Sequence, residues 1–307
     1  MTLQQLKFIC EVVNCGLSVS KAAASLHTSQ PSMSRQIQAL ENELGMKIFL
    51  RSKRRLIELT KPGEQVHELA RKALSITDGM RHIRNDFYAM HAGSLVVATS
   101  HTQARYVLPK VIQHFKKRYP QLQITLRQGN PTQIAQWVSS GEADLSIGGE
   151  PTCQIPGIAL LTCFDEYKIV LTPRKHPLAN ISRLTIAQLS RYPLITYDSN
   201  FRTNAQISEA FAKKNRKPNI ILNATNPDVM KPYVRCGLGI AIVGECAYDP
   251  KEDSGLRAIE AKHLFEPTTI YCGIRKHTYI RRYVFDLIKF LAPNMTQDKL
   301  SQAVFLN

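Results

Sequence analysis

The sequence lacks an apolar run as long as a membrane helix, about 20 residues, and its N-terminus lacks the basic and apolar segments of a secretory signal. Its seven cysteines are odd in number, scattered, and include no C-x-x-C pair. This spacing argues against a disulfide framework and a zinc module. We therefore expect a cytoplasmic protein with reduced cysteines, no membrane partner, no metal and no cofactor.

The common catalytic signatures are also missing. The chain contains no G-x-S-x-G, Walker loop or H-E-x-x-H, no G-x-G-x-x-G follows a strand-like segment, and its nine histidines have no metal-ligand spacing. Hydrophobic residues make up 44% of the 307 residues, which is enough for a sizeable core, and the length suggests two or three domains. The sequence thus predicts a multidomain binding protein rather than an enzyme.

Acidic residues are scarce relative to basic ones. The chain has 24 Asp and Glu against 40 Lys and Arg, a formal net charge of +16. This surplus favours a polyanionic partner, with nucleic acid as the first candidate. The first 90 residues carry 13 Lys and Arg against 8 Asp and Glu, a net of +5, which leaves +11 on the remainder. Charge alone therefore does not locate a DNA-binding segment.

Three short amphipathic helices are predicted at the N-terminus, and the third begins near Ser29 and ends at Gly45. Polar residues lie opposite the apolar seam of this third helix. Three short helices with such a polar face are typical of a helix-turn-helix motif whose third helix enters the major groove. There Arg35 pairs with guanine and Gln38 with adenine. A solvated helix face is the alternative. The predicted seam is Met33, Ile37, Leu40 and Leu44, and the predicted DNA-contacting residues are Ser29, Gln30, Pro31, Ser32, Ser34, Arg35 and Gln38.

A short basic ribbon follows the third helix. Apolar and polar residues alternate through Ile48, Leu50 and Leu56, which predicts two short strands joined by a basic turn. Such a wing places guanidinium and ammonium groups against phosphates of the DNA backbone. The predicted phosphate-contacting residues are Arg51, Lys53, Arg54 and Arg55.

Residues 60–90 are predicted to form one long helix. Its apolar residues alternate at spacings of three and four, the period of a coiled coil, over about three heptads. We expect this helix to link domains 1–59 and 91–307 and to pair two subunits, because twofold symmetry suits paired DNA half-sites. Packing inside one domain is the alternative. The predicted dimerisation residues are Leu69, Ala73, Ile76, Met80 and Ile83.

In residues 91–307, strand-like segments alternate with helical ones in two batches. This pattern predicts a largely parallel sheet in each batch, and hence two lobes with a cleft between them. Lobe I is predicted over about 91–163 and 271–307, and lobe II over about 164–270. The predicted fold class is α+β multidomain, with a winged helix-turn-helix, a linker helix and a two-lobed α/β domain.

Two predicted strand-to-helix junctions of this domain are rich in hydroxyl and amide side chains, at residues 100–103 and 130–133. Ligands of α/β sheets bind at the carboxyl ends of strands, where free amides and helix dipoles favour anions. Ordinary N-capping explains either junction alone, but the two together favour a ligand site. The candidate residues are Ser100, His101, Thr102, Gln103 and Thr132.

The segment AAASLHTSQPSMSRQIQALENELGMKIFLR resembles the N-terminal signature of LysR-type transcriptional regulators, and the order of predicted domains matches that family over the whole chain. The segments HTQARYVLPKVI, QGNPTQIA and DVMKPYVRCGLGIAIV are similar to its CysB-like branch, the regulators of cysteine biosynthesis and sulfur assimilation. The resemblance implies a periplasmic-binding-protein-like effector domain and a homodimer or homotetramer. It also implies double-stranded promoter DNA and RNA polymerase as partners, and a small effector such as acetylserine, sulfate or thiosulfate.

The resemblance implies that Ser100, Thr102 and Gln103 belong to the effector site. At several other positions of that site the sequence differs from the CysB-like branch. The branch has threonine at the positions of Ser100, Gly149 and Arg202, and tryptophan at the position of Glu166. A carboxylate and a guanidinium added to one cleft either pair with each other or change its ligand preference. The effector-binding set is completed by Gly149, Glu166, Arg202 and Thr203.

Several functions remain open at this level. The sequence favours a DNA-binding regulator of sulfur-assimilation or cysteine-biosynthesis genes, gated by a small anionic or amino-acid-derived effector. One alternative is a solute-binding protein of the same two-lobed fold, against which the N-terminal helix-turn-helix and the missing signal segment both count. A LysR-type regulator of an unrelated pathway is the other alternative.

Overall fold

The computed structural model describes residues 1–52, 55–88 and 93–305, which divide into two compact units. The first unit comprises Met1–Tyr88 and His277–Arg281, and the second comprises the other described residues. Within the described part of the chain, no helix combines the length and the apolar composition that crossing a bilayer requires.

The first unit begins with three helices, α1 (Leu3–Asn14), α2 (Val19–Ser25) and α3 (Gln30–Leu44). The Ser29 hydroxyl caps α3 by accepting the Ser32 amide at 3.3 Å, and Gly45 ends α3 with a left-handed φ of 66°. The helices bury one core. From α3 this core takes Met33, Ile37 and Leu40 as buried residues and Leu44 as a partly buried one, which confirms the predicted seam.

A two-stranded antiparallel ribbon, β1 (Phe49–Ser52) and β2 (Arg55–Leu59), follows α3. The ribbon exists as predicted, but its inward residues differ. Phe49 is buried and Leu50 is 45% exposed, so the inward face of β1 is the opposite of the one predicted. The pairing of the two strands also shifts register between Leu50 and Arg51.

The long helix α4 spans Lys61–Tyr88. The Thr60 hydroxyl caps it by accepting the Gly63 amide at 2.9 Å. Near its N-terminal end, Val66, Ala70 and Ala73 pack against the core of the first unit. The first part of α4 therefore belongs to the helix-turn-helix domain as well as to the linker.

The second unit contains two five-stranded sheets, each of which defines a lobe. Lobe I has the strand order β4–β3–β5–β12–β6, in which β3, β4 and β5 are parallel and β12 is antiparallel to both neighbours. Its elements are β3 (Gly93–Thr99), a π-helical turn (Gln103–Val107), α5 (Leu108–Arg118), β4 (Leu122–Gln128), α6 (Pro131–Ser140), β5 (Leu145–Gly149), β6 (Ile158–Glu166), β12 (Thr268–Arg275), α10 (Arg282–Leu291) and α11 (Gln297–Phe305).

Lobe II repeats this arrangement, with the strand order β11–β7–β10–β8–β9. Strands β8, β9 and β10 are parallel, and β7 is antiparallel to β10 and β11. Its elements are β7 (Lys168–Pro173), a 3-10 turn (Pro177–Asn180), α7 (Ile186–Leu189), β8 (Leu194–Tyr197), α8 (Arg202–Ala212), β9 (Ile220–Ala224), α9 (Pro227–Arg235), β10 (Ile240–Gly244), a second 3-10 turn (Glu245–Ala247) and β11 (Leu256–Glu260).

The two-lobed architecture is confirmed, with one difference in detail. Each sheet is mixed rather than largely parallel, because the strands next to the two crossings run antiparallel to their neighbours. The last residue of β6, Glu166, pairs with the first residue of β12, Thr268, so the sheet of lobe I reaches both crossings.

Candidate functional site

The outer face of α3 presents polar groups to solvent. Arg35 is exposed and Gln38 is half-buried. The Gln38 amide donates to Asn42 at 3.0 Å, and the Ser20 hydroxyl donates to Gln30 at 3.1 Å. The remaining predicted contacts divide into the exposed residues Ser29, Gln30 and Pro31 and the half-buried residues Ser32 and Ser34. This polar face is the one on which the DNA-binding prediction rests.

Glu41, which the sequence analysis did not single out, holds the ribbon against α3. Its carboxylate is fully buried and accepts the backbone amides of Ile48 and Phe49 at 3.0 and 3.2 Å. The same carboxylate forms ion pairs with Arg51 at 3.2 Å and with Lys47 at 3.5 Å. A buried carboxylate is stable only when it is paired and hydrogen-bonded in this way.

Arg51, which is predicted to contact phosphate, forms an ion pair with the buried Glu41 carboxylate and is 38% exposed. Its phosphate contact stays a prediction. Lys53 and Arg54, also predicted to contact phosphate, lie outside the described residues. The backbone of Arg55 pairs with Ser52 in the ribbon, and its side chain is not among the described ones.

The exposed apolar residues of α4 do not follow the whole predicted seam. Leu69 and Met80 are each 63% exposed and Ile76 is 47% exposed. Ala73 instead packs against the core of its own unit, and the side chain of Ile83 is not among the described ones. Of the predicted dimerisation residues, those described as exposed are Leu69, Ile76 and Met80.

In the second unit, the segment after β3 turns sharply and buries polar side chains. Ser100, Thr102 and Gln103 are all at most 7% exposed. The Ser100 hydroxyl accepts the backbone amide of Gln103 at 3.3 Å, and the Thr102 side chain lies close to the Tyr197 hydroxyl of β8 in lobe II. Three of the predicted effector-binding residues thus form one buried polar turn.

Glu166 lies beside this turn, at the end of β6. Its Oε1 accepts the side-chain amide of Gln103 at 3.2 Å and the thiol of Cys246 at 2.9 Å. Burial, reinforced by the charge of Glu166, raises the pKa of the Cys246 thiol, so Cys246 stays a neutral donor. A Cβ built on Gly244 would lie 2.5 Å from the Glu166 carboxylate, so a larger residue there would displace that side chain.

Arg202 does not pair with Glu166, the pairing that seemed the simpler outcome from the sequence. Its guanidinium forms an ion pair with Glu150, outside the buried turn. Arg202 is exposed, whereas the neighbouring Thr203 is buried in the first turn of α8. Arg202 begins α8 and reaches the carboxylate that follows β5, whereas Glu166 ends β6 and is bonded to Gln103.

The second predicted junction is a capped helix start. Asn130 caps α6 with a capping box, and the Thr132 hydroxyl lies 2.9 Å from that of Thr152. Gly149 ends β5, and a Cβ there would lie 3.5 Å from the Thr268 methyl. The contacts of Thr132 are thus local ones, whereas Gly149 lies next to the second crossing.

His101 connects the two lobes instead of pointing into the buried turn. Its Nε2 lies 2.9 Å from the Asp228 carboxylate at the start of α9, and its Nδ1 lies 3.1 Å from the Gln128 side chain. The Tyr106 hydroxyl donates to the same Asp228 at 2.5 Å. His101 therefore holds the lobes together through Asp228.

Lys168 is a site residue that sequence analysis missed. It is 1% exposed, and its ammonium donates to the Thr268 hydroxyl, which in turn donates to Gln206 at 3.2 Å. Burial lowers the pKa of Lys168, and the charge of Glu166 opposes that effect. The only available signal was a lysine that interrupts the buried strand KIVLTP directly after the crossing.

Comparisons with known proteins agree with this architecture. Residues 3–64 match the family of bacterial regulatory helix-turn-helix proteins of the lysR type, and residues 89–296 match the LysR substrate binding domain. The chain is similar to the crystal structure of the cofactor-binding domain of the Cbl transcriptional regulator, with 34% identity and a TM-score of 0.66. The match covers 69% of this chain and 93% of that one.

Full-length relatives give the same result. The HTH-type transcriptional regulator SsuR of Burkholderia cenocepacia is 41% identical over 98% of both chains. CysB of the same organism is 37% identical over 99% of this chain and 97% of its own, and Cbl of Escherichia coli is 35% identical over 99% and 96%. These relatives are transcriptional regulators, which supports the expectation that the chain is not an enzyme. The chain belongs to the LysR family of bacterial transcriptional regulators.

Proposed function

We propose that this LysR-type regulator controls genes of sulfur assimilation or cysteine biosynthesis, in response to a small anionic or amino-acid-derived effector bound between its lobes. The likeness to SsuR, CysB and Cbl supports the pathway. The single observation that carries the effector site is the buried contact of Gln103 with Glu166 at 3.2 Å, beside Ser100 and Thr102. Convergent buried polar groups where two lobes meet are typical of ligand sites.

The DNA-reading half of the proposal uses α3 and α4. Subunits pair through the exposed residues Leu69, Ile76 and Met80 to give a homodimer, and dimers pair to give a homotetramer. The two α3 helices then enter successive major grooves of promoter DNA, where Arg35 and Gln38 reach base edges. The match of residues 3–64 to a regulatory helix-turn-helix family leaves a solute-binding protein without support.

The response to the effector follows from the two lobes. A ligand that contacts Gln103 and Glu166 on one side and β8 or α8 on the other binds most tightly to one arrangement of the lobes. It therefore shifts the population towards that arrangement. Because effector binding is coupled to the arrangement of the lobes, the effector changes how the homotetramer binds DNA and contacts RNA polymerase.

Arg35→Ala tests the DNA contact. Loss of a guanidinium that reads a base is expected to weaken binding to a sulfur-assimilation promoter by about 1–3 kcal/mol and to relax the base preference at one position. Fluorescence anisotropy at fixed salt measures the affinity, and footprinting locates the site. Arg216→Ala, which removes the same charge from an exposed loop of lobe II, serves as the control. Equal affinities of the two variants would remove Arg35 from the interface.

A further inference from the structure

The polar groups around Glu166 contain an excess of hydrogen-bond acceptors. The Gln103 side-chain oxygen is buried and has no hydrogen-bond partner in the structure, although its amide nitrogen donates to Glu166. The carboxylate orients that amide, because only the nitrogen end can donate to it. A buried oxygen with no donor carries a desolvation cost that a ligand donor would remove.

The Glu166 carboxylate has neutral donors but no cation of its own. Glu166 is 8% exposed, and its Oε1 is held by the Gln103 amide and the Cys246 thiol. None of the ion pairs formed by described side chains includes Glu166. Lys168 is the nearby cation; its ammonium interacts electrostatically with Glu166 but is hydrogen-bonded to Thr268 and forms no described ion pair with that carboxylate. Buried carboxylates are normally paired with a cation.

These acceptors suit a protonated amine and disfavour a bare oxyanion. An ammonium group offers three donors and no acceptor, so it satisfies the Gln103 oxygen and the Glu166 carboxylate together. A sulfate placed against the same atoms would set acceptor against acceptor and like charge against like charge at low dielectric.

Donor groups lie on the other side of the same turn. The first turn of α8 has no side-chain cap, and although the backbone amide of Asn204 is bonded to the Phe201 oxygen at 3.0 Å, the amides of Arg202 and Thr203 lie at the helix end that favours an anion. The side-chain amide of Asn204 in that turn donates to the backbone oxygen of Tyr197 at 2.7 Å, and the Tyr197 hydroxyl lies close to the Thr102 side chain. The site therefore presents acceptors at Glu166 and donors at α8.

We propose that Glu166 determines the effector specificity of this chain. Its carboxylate and the Gln103 side-chain oxygen bind the protonated amine of a small zwitterion, an amino acid or an aminosulfonate, and α8 meets the anionic end. The inference rests on the proposed effector site and adds the chemical class of its ligand. Glu166 stands where the CysB-like branch has tryptophan, and the inference assigns this carboxylate a role in ligand selectivity.

Two matched pairs of probes test this assignment by isothermal titration calorimetry on the full-length protein. O-acetylserine carries a free amine that N-acetylserine has converted to an amide, and taurine carries an amine where isethionate carries a hydroxyl. Inorganic sulfate is the fifth probe. We expect the amine member of at least one pair to bind about tenfold or more tightly than its partner, equivalent to about 1.4 kcal/mol.

Glu166→Gln keeps the size of the side chain and removes its charge, and it is expected to abolish that preference. Glu209→Gln, an equal change on the exposed face of α8, is expected to retain it. The assignment is overturned if neither amine probe binds more tightly than its matched partner, if sulfate binds as tightly as the preferred amine probe, or if Glu166→Gln keeps the wild-type ratio. If sulfate binds tightly and Thr102→Ala weakens that binding, the amine assignment is rejected but the proposed effector site is retained. Absence of binding by all five probes would reject both.

Discussion

Two buried carboxylates, Glu41 and Glu166, show how much single residues decide in this protein. Glu41 has backbone amides and two cations as partners and so fixes the ribbon to α3. Glu166 has an amide and a thiol as partners and no ion pair among the described residues, which leaves it available to a ligand. The same side chain is structural in one unit and a specificity candidate in the other because its partners differ.

Glu41→Ala tests the structural carboxylate. The change removes the acceptor of two buried amides and the partner of Arg51, so we expect the first unit to lose about 2–3 kcal/mol of stability. DNA affinity is expected to fall as well, because the ribbon loses its anchor on α3. Urea unfolding of the full-length protein measures the stability. The control is Glu43→Ala, which removes only an exposed ion pair with the N-terminus and is expected to cost under about 1 kcal/mol.

Thr102→Ala tests the buried turn. Loss of this buried hydroxyl, which lies close to Tyr197 beside the proposed effector site, is expected to raise the effector concentration for half-maximal response on the order of tenfold. Promoter binding followed by anisotropy across an effector titration gives this midpoint. Thr225→Ala, at an exposed threonine of lobe II, is the matched control. An unchanged midpoint in Thr102→Ala would place the effector elsewhere.

At the scale of elements, periodicity decided which segments were predictable. The seam of α3 and its two caps were read correctly because Ser29 and Gly45 are strong start and stop signals. Strands β6, β11 and β12 were not predicted, because they lie beside the crossings and mix buried with exposed residues irregularly. The register shift in β1 likewise left no mark in the sequence.

The α4 helix carries the prediction that belongs to this scale. Ile76→Glu places a charge among the exposed apolar residues Leu69 and Met80, where a partner helix would have to desolvate it, and the expected result is monomers or a much weaker assembly. Sedimentation velocity over a concentration series measures the change. Gln65→Glu adds the same charge at an exposed position nearer the start of α4 and should leave the assembly intact. Identical profiles for Ile76→Glu and wild type would exclude α4 as the pairing surface.

At the scale of the whole second unit, Asp228 joins the two lobes. Tyr106 and His101 of lobe I contact its carboxylate, at 2.5 and 2.9 Å, and Arg105 approaches it at 3.7 Å. Although burial acts in the opposite direction, these hydrogen bonds hold the pKa of Asp228 below its ordinary value. At every pH at which Asp228 is ionised, its carboxylate therefore stabilises this contact between the lobes.

Asp228→Asn tests this contact and its pH dependence. A carboxylate with a lowered folded-state pKa stabilises the protein above its ordinary pKa, about 3.9, and that contribution disappears as the pH falls through the folded value. We expect the variant to be about 1 kcal/mol less stable than wild type near neutral pH, allowing for partial exposure, and equally stable in strong acid. Thermal unfolding across pH measures both. Asp298→Asn, in the first turn of α11, is the control, and a difference that persists in acid would contradict the ionic origin.

The sequence by itself determined the order of elements, the helix-turn-helix seam and the family, because helical periodicity, capping residues and a contiguous signature are local properties. It also identified Ser100, Thr102 and Gln103, which lie together in one turn. Only the tertiary structure decided that Glu166 joins Gln103 while Arg202 joins Glu150, that His101 holds Asp228, and that Glu41 and Lys168 are buried. These contacts join residues far apart in the chain, and the energy of a buried charge depends on the partners that folding brings to it.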